Sequence, residues 1–147
     1  MQFHGTRIRA LNAVAAAVAA LCSAGQAGPL DPRVVAGQAT VLTQGATTRV
    51  VQATDRAIIH WRAFQVQRGE LAEFQLPTSQ SAVLNRVTGA DPSLIAGTLR
   101  SNGQVFLINP NGVLVGPGGQ VLTNGFTAST LDVRNEDFLR GGPLRFQ

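Results

Sequence analysis

The sequence has no lysine: arginine supplies all 12 basic residues. It has one cysteine, Cys22, and two histidines, His4 and His60. One cysteine allows neither an internal disulfide nor a cysteine-rich zinc site. His60 stands at a polar position of an alternating stretch, with no carboxylate or thiol at metal-ligand spacing. It is therefore expected to be solvated or hydrogen-bonded rather than metal-binding or catalytic. The arginines are scattered singly, which is not the footprint of a nucleic-acid binder, so no nucleic-acid partner is expected. No GxSxG nucleophile elbow and no GxGxxG or GxxxxGK[ST] phosphate loop occurs. The acids fall mostly in turns, and Glu70 and Glu73 stand at odd spacing, on opposite faces of a regular strand. That weakens a paired-carboxylate site. The expectation is a protein that is not an enzyme, with no cofactor and no metal.

The first residues have an organisation of their own. Residues 1–9 carry His4, Arg7 and Arg9 and no acid, and residues 10–21 (ALNAVAAAVAAL) are almost wholly apolar. Small residues continue up to Ala27. This is the pattern of a secretory signal peptide, residues 1–27, with Gly25 and Ala27 at the −3 and −1 positions of the cleavage site. A dozen apolar residues do not span a bilayer core of about 30 Å, which takes roughly 20. Cleavage removes two arginines and no acid, so the formal charge falls from +4 to +2. It also removes Cys22, which bulky Leu21 makes a poor lipidation site. The mature chain, residues 28–147, then holds together by its core and backbone pairing alone.

That chain reads as β throughout. Residues 28–33 (GPLDPR) are a proline-broken lead-in, and residues 34–51 one or two short strands around Gln44-Gly45. Residues 55–67 show partial alternation and suggest a strand with a bulge near Arg62-Ala63. Residues 71–76 alternate cleanly, and residues 82–87, 94–99, 105–108, 113–115 and 121–126 come next as short apolar runs. Glycine, asparagine and serine punctuate them, and no 3.6-residue apolar period is sustained. Residues 135–140 (NEDFLR) are the exception. Asn135 can cap a helical turn, Glu136 and Asp137 suit its start, and Gly141-Gly142 can end it.

A β-sandwich and a parallel β-helix both fit such a pattern. An echo favours the β-helix: GQATVLTQG, GQVFLINPNG and GQVLTNG, the last two starting 16 residues apart at Gly103 and Gly119. Asparagines at the corners can stack on those of the next coil. At roughly 20–25 residues per coil the mature chain makes about five. The sharpest local signal is Asn109-Pro110-Asn111-Gly112 between two apolar runs. Asparagine can cap a turn, proline presets φ, the second asparagine tolerates the bridge region, and glycine takes positive φ.

Five segments in order then carry a resemblance: QATDRAIIHWRAF (52–64), AVLNRVTG (82–89), PSLIAG (92–97), NGQVFLINPNG (102–112) and ASTLDVRNEDF (128–138). The chain from about residue 34 to 146 resembles the N-terminal secretion domain of filamentous-haemagglutinin-like exoproteins and adhesins. These are the secreted partners of Gram-negative two-partner secretion systems. The resemblance implies an all-β fold, a single-stranded right-handed parallel β-helix with short extra-helical strands and an N-terminal cap. It implies export through the periplasm to the cell surface or medium, and a partner, an outer-membrane β-barrel transporter with periplasmic POTRA domains. Asn109, Pro110, Asn111 and Gly112 match the family's NPNG secretion motif, the expected recognition or folding corner. Asn85, Arg86, Ser129 and Asp132, from two of the other matching segments, are expected to support it. The family's NPNL tetrapeptide is absent; FQLPTSQSA (74–82) stands where it would fall. Family exoproteins run far longer, so the chain is expected to be a fragment, a truncated frame or a degraded copy. The alternative function is an adhesive module binding host surface glycans, which would need Trp61, Phe64 or Phe106 exposed for stacking on sugars. All three are expected in the core.

Overall fold

The computed structural model describes residues 28–147, so the expected leader lies outside the described residues. The strands are β1 (Arg33–Ala36), β2 (Ala39–Gln44), β3 (Thr47–Gln52), β4 (Arg56–Trp61), β5 (Leu71–Gln75) and β6 (Ala82–Val87). They continue with β7 (Ser93–Ile95), β8 (Thr98–Ser101), β9 (Gln104–Ile108), β10 (Val113–Val115), β11 (Gln120–Leu122) and β12 (Gly125–Ser129). One short helix, α1 (Asn135–Arg140), comes last.

Pairing decides between sandwich and helix. The sheets run β1-β4-β6-β9-β12, β11-β8-β5-β3-β2 and β10-β7. Every pair is parallel except β1–β4 and β2–β3. A sandwich joins its neighbours by antiparallel hairpins; here each strand lies beside its counterpart one coil later. Arg56 stands beside Ala82, Ala82 beside Gln104, and Gln104 beside Gly125. The chain is a parallel β-helix of about four coils, with the right-handed winding that parallel crossovers take. The sequence reading of five coils is one too many, because the first residues build a cap instead. In that cap β1 runs antiparallel to β4, β2–β3 form a hairpin, and Leu30 bridges Ala63. The hairpin loop is Gly45-Ala46, with Gly45 at φ +59 and Ala46 at negative φ, a type II′ turn.

The corners correct the sequence reading in five further places. Residues 34–51 hold three strands rather than one or two. Residues 94–99 and 121–126 each read as one strand, but each is cut by a corner, between β7 and β8 and between β11 and β12. Beyond Trp61 the chain does not bulge within one strand; it turns onto the third face, where Val66 bridges Ile95. The Gly103 and Gly119 echo is not a coil repeat, since β9 and β11 belong to different sheets. A short chain wrapping a narrow solenoid changes face every few residues, and apolar runs pass through such corners unmarked.

The first sheet is buried on both sides, which is why AVLNRV has no polar alternation. Inside, Ile59, Trp61, Val83, Val87, Val105 and Leu107 join Phe64 and Phe74 in the main core. Trp61 meets Phe64 edge-on at 5.4 Å, and Phe64 stacks on Phe74 at 6.3 Å. Outside, Ile58, Leu84 and Ile108 pack under Val133 and Phe138 from the α1 segment. Arg56 holds that segment by donating to the Phe138 carbonyl at 3.1 Å and covering its ring at 5.3 Å. Asn135 does not cap α1: the N-cap position is Arg134, with no side-chain cap bond. Glu136 and Asp137 do occupy the first turn, and Gly141 ends the helix at φ +79.

Corners of successive coils stack so tightly that some admit only glycine. A Cβ on Gly97 would lie 2.2 Å from the Gln67 carbonyl oxygen and 2.5 Å from that of Glu70. Gly97→Ala is therefore expected to destabilise the domain by about 2–3 kcal/mol, the cost of forced overpacking. Gly45→Ala, where the Cβ meets open space, is expected to cost about 1 kcal/mol through its positive φ. Urea unfolding midpoints check the order.

Candidate functional site

After Ile108 the chain must leave the first sheet and enter the β7–β10 ladder within four residues. The turn closes where the Gly112 N–H donates to the Asn109 carbonyl at 3.0 Å, with Gly112 at φ +113. The motif is thus a corner between sheets, not a hairpin. Asn109 is wholly buried. Its Nδ2 donates to the Asp91 carbonyl at 3.0 Å and to Ser93 Oγ at 2.9 Å, both in the preceding coil. Its Oδ1 accepts from the Asn111 backbone N–H at 2.9 Å and from Asn111 Nδ2 at 3.1 Å. Its own N–H donates to the Ser129 carbonyl, one coil later, at 3.0 Å. One residue therefore ties three consecutive coils.

The rest of the motif is arranged around it. Asn111 Nδ2 donates to the Gly89 carbonyl at 2.9 Å, and the Ser93 N–H to the Gly112 carbonyl at 2.9 Å. Pro110 and the Asn111 side chain lie at the surface. Asn109 thus does structural work inside, while Pro110 and Asn111 form an exposed tip.

The expected supporting residues sit around the start of this corner in three different ways. Ile108 is flanked across the sheet by Arg86 and Ser129. Ser129 reaches the corner through its carbonyl, while its Oγ accepts from Leu131 N–H at 2.9 Å. Asn85, one row back, is buried: it accepts from Trp61 Nε1 at 2.9 Å and donates to the Phe106 carbonyl at 3.2 Å. Arg86 faces outward, donating to Asp132 Oδ1 at 3.0 Å and to the Val133 carbonyl at 2.9 Å. Its Nη1 also meets His60 Nε2 at 2.9 Å. Arg86 and Asp132 therefore clamp the α1 segment onto the sheet, and the four residues do not share one cleft. The asparagines do not stack on one another from coil to coil. They bond other groups of the neighbouring coil instead: Asn102 Oδ1 accepts from the Leu76 N–H and its Nδ2 donates to the Leu76 carbonyl, at 2.8 Å each.

Sequence reasoning missed the partners Gly89, Asp91 and Ser93. A signal was present: Asp91-Pro92 one coil earlier echoes Asn109-Pro110, and Leu94 pairs with Leu114 across the two coils. It also missed an ion ladder on the second sheet. Glu73 accepts from Arg49 Nε at 2.8 Å and from Arg100 Nε at 2.9 Å, one arginine from each adjoining coil. Among the described residues, no group of three or more His, Cys, Asp or Glu could hold a metal ion.

Two groups titrate away from their ordinary values. Burial, and then the Arg86 and Arg33 guanidiniums, push His60 below 6.5, with Asp132 opposing. The hydrogen bonds from Arg49 and Arg100 hold Glu73 below 4.5.

A coil stack whose neighbouring coils are tied together at a buried asparagine corner defines a class of protein, a β-solenoid module. The chain belongs to the TPS secretion domain family, whose model matches residues 26–144. Two similar curated proteins, from Haemophilus influenzae, are each named heme/hemopexin-binding protein. One, from strain ATCC 51907, is 38% identical over 105 residues, covering 71% of this chain and 12% of that protein. The other is 33% identical over 106 residues, covering 71% of this chain and 11% of that protein. The chain thus spans about a tenth of the length of these relatives. The crystal structure of the HMW1 secretion domain from Haemophilus influenzae is also similar, at TM-score 0.74 and 43% identity. The match covers 82% of this chain and 32% of that one. The chain is accordingly a secretion domain of a two-partner-secreted protein. Such a domain implies a cognate outer-membrane transporter and passage through the outer membrane of a Gram-negative bacterium.

The geometry predicts two outcomes. Asn109→Ala removes four side-chain bonds from a buried position, each worth about 1 kcal/mol net. It is expected to cost about 3 kcal/mol in urea unfolding, against about 1 kcal/mol for Asn111→Ala. For pH, the unfolded chain binds a proton at His60 before the folded one does. Stability should therefore fall as pH drops below 6.5, and fall again below 4.5 as Glu73 protonates. His60→Gln, which keeps an acceptor for Arg86, should abolish the first fall in a pH series of melting temperatures and leave the second.

Proposed function

We propose that residues 28–147, freed of a leader spanning residues 1–27, act as a non-enzymatic export signal and folding nucleus. The POTRA domains of the transporter take up the chain in the periplasm. It crosses the outer membrane unfolded and winds up coil by coil outside, and folding opposes its return. The observation that carries this reading is the double character of the motif. Asn109 is buried and ties coil to coil, so it governs folding; Pro110 and Asn111 stand exposed beside it, so they suit recognition. Edge strands such as β2, most of whose residues are exposed, suit pairing with an incoming transporter strand.

The glycan-binding alternative finds no support in the aromatic residues. Trp61 and Phe64 are in the core, and Phe106 packs edge-on against Phe138 at 5.5 Å.

Release into the medium, with the cognate transporter co-expressed, tests the proposal. Asn109→Ala should reduce release at least tenfold. Asn111→Ala, which keeps the fold, should reduce it several-fold. Release of both variants at the unmodified level would overturn the assignment of the corner.

A further inference from the structure

The N-terminal cap borders an open pocket of about 290 Å³ whose lining includes Gly28, Asp31, Thr48, Arg62 and Glu70. Gly28 is held at its rim by Pro29 and Leu30. Pro29 is buried, and Leu30 exchanges backbone hydrogen bonds with the first coil, donating to the Ala63 carbonyl at 2.8 Å and accepting from Arg62 N–H at 3.0 Å. A Cβ on Gly28 would lie 3.5 Å from Thr48 Oγ1 and 3.7 Å from Glu70 Oε2. The Gly28 nitrogen lies about 2.5 Å from that Cβ position by covalent geometry, hence within about 6 Å of the carboxylate.

The charges around the pocket are unequally matched. Asp31 is paired with Arg62. Glu70 uses Oε1 to accept the Gln67 N–H at 2.7 Å, and Oε2 has no hydrogen-bond partner among the described residues. While Gly28 is in peptide linkage its nitrogen carries no charge. Hydrolysis of the Ala27–Gly28 bond leaves a carboxylate on the leader and an ammonium on Gly28. A cation then appears at the one carboxylate of this pocket that has no arginine on it.

We propose that Gly28 becomes the mature amino terminus and that its α-ammonium is captured by the Glu70 carboxylate, so that leader removal itself adds an ion pair to the N-terminal cap. The inference rests on the leader reading, with its small residues Gly25 and Ala27 at the cleavage site. It adds a receiving site for the new terminus in the fold. The lead-in becomes bound to the first coil at both ends of residues 28–30, by an ion pair at Gly28 and a bridge at Leu30. Asp31, Arg62 and Glu70 are the charged groups facing it, and the attraction of Glu70 should raise the amine's pKa.

The absence of lysine makes the test clean, because the mature chain has one primary amine. The full chain, leader included, is expressed in a Gram-negative host, and the product is recovered from the periplasm. Intact mass should correspond to a start at Gly28; any other start overturns the processing site. An amine-reactive ester then reads the terminus across pH 6–9. Labelling at pH 7 should be roughly three- to tenfold slower than in Glu70→Gln, the effect of raising the amine's pKa half to one unit above its usual value near 8. In urea the two rates should converge. A Gly28 start with equal labelling of the two folded proteins would overturn the capture and leave the leader reading standing.

Discussion

Each coil of this domain must lie on the one before it in fixed register, because the hydrogen-bond partners of its strands are the strands of its neighbours. The constraint is most severe at the corners. There the backbone of one coil passes so close to the next that Gly89, Gly97 and Gly119 each face a carbonyl oxygen 2.2 Å from where a Cβ would stand. A coil that slipped by one residue would exchange the inner and outer rows of the first sheet, taking Trp61 out of the core. It would also separate Asn109 from Ser93. The corner at residues 109–112 is where register becomes a side-chain property: Asn109 spans from Asp91 to Ser129.

The same stacking organises the charged and aromatic residues. Glu73 stands between two arginines because register places Arg49 and Arg100 on either side of it. Trp61 can be buried with its indole N–H satisfied because Asn85, one coil on, turns inward in the neighbouring row. The outer surface of the first sheet is closed by Val133 and Phe138, held down by Arg86 and Arg56. With no cysteine among the described residues, the domain draws its cohesion from such repeated cross-coil contacts.

The all-β character and the turn at Asn109-Pro110-Asn111-Gly112 were legible in the sequence, because turn residues are local signals; the N-terminal cap came only from the resemblance. Parallel pairing was legible only through resemblance. Corners hidden inside LIAGTL and VLTNGF were not, since glycine and threonine there suit a strand interrupted by a bend as well as a continuous one. Asn135 looked like a cap because it precedes two acids, yet the helix begins one residue earlier in phase, and those acids serve the first turn without it. Arg86 and Asp132 were marked by resemblance alone; their ion pair joins residues 46 apart, which no local pattern reveals. Ser93 escaped because its role is to receive a hydrogen bond from the next coil.

The central claim is that Asn109 locks neighbouring coils in register at the corner. Native-state amide hydrogen exchange of Asn109→Ala tests it most directly. Protection should be lost at Ser93, Asn111 and Gly112, the amides that Asn109 organises, while Ile58, Ile59 and Trp61 in the first coil stay protected. Unchanged exchange at the corner amides, or an equal loss across every coil, would contradict the account.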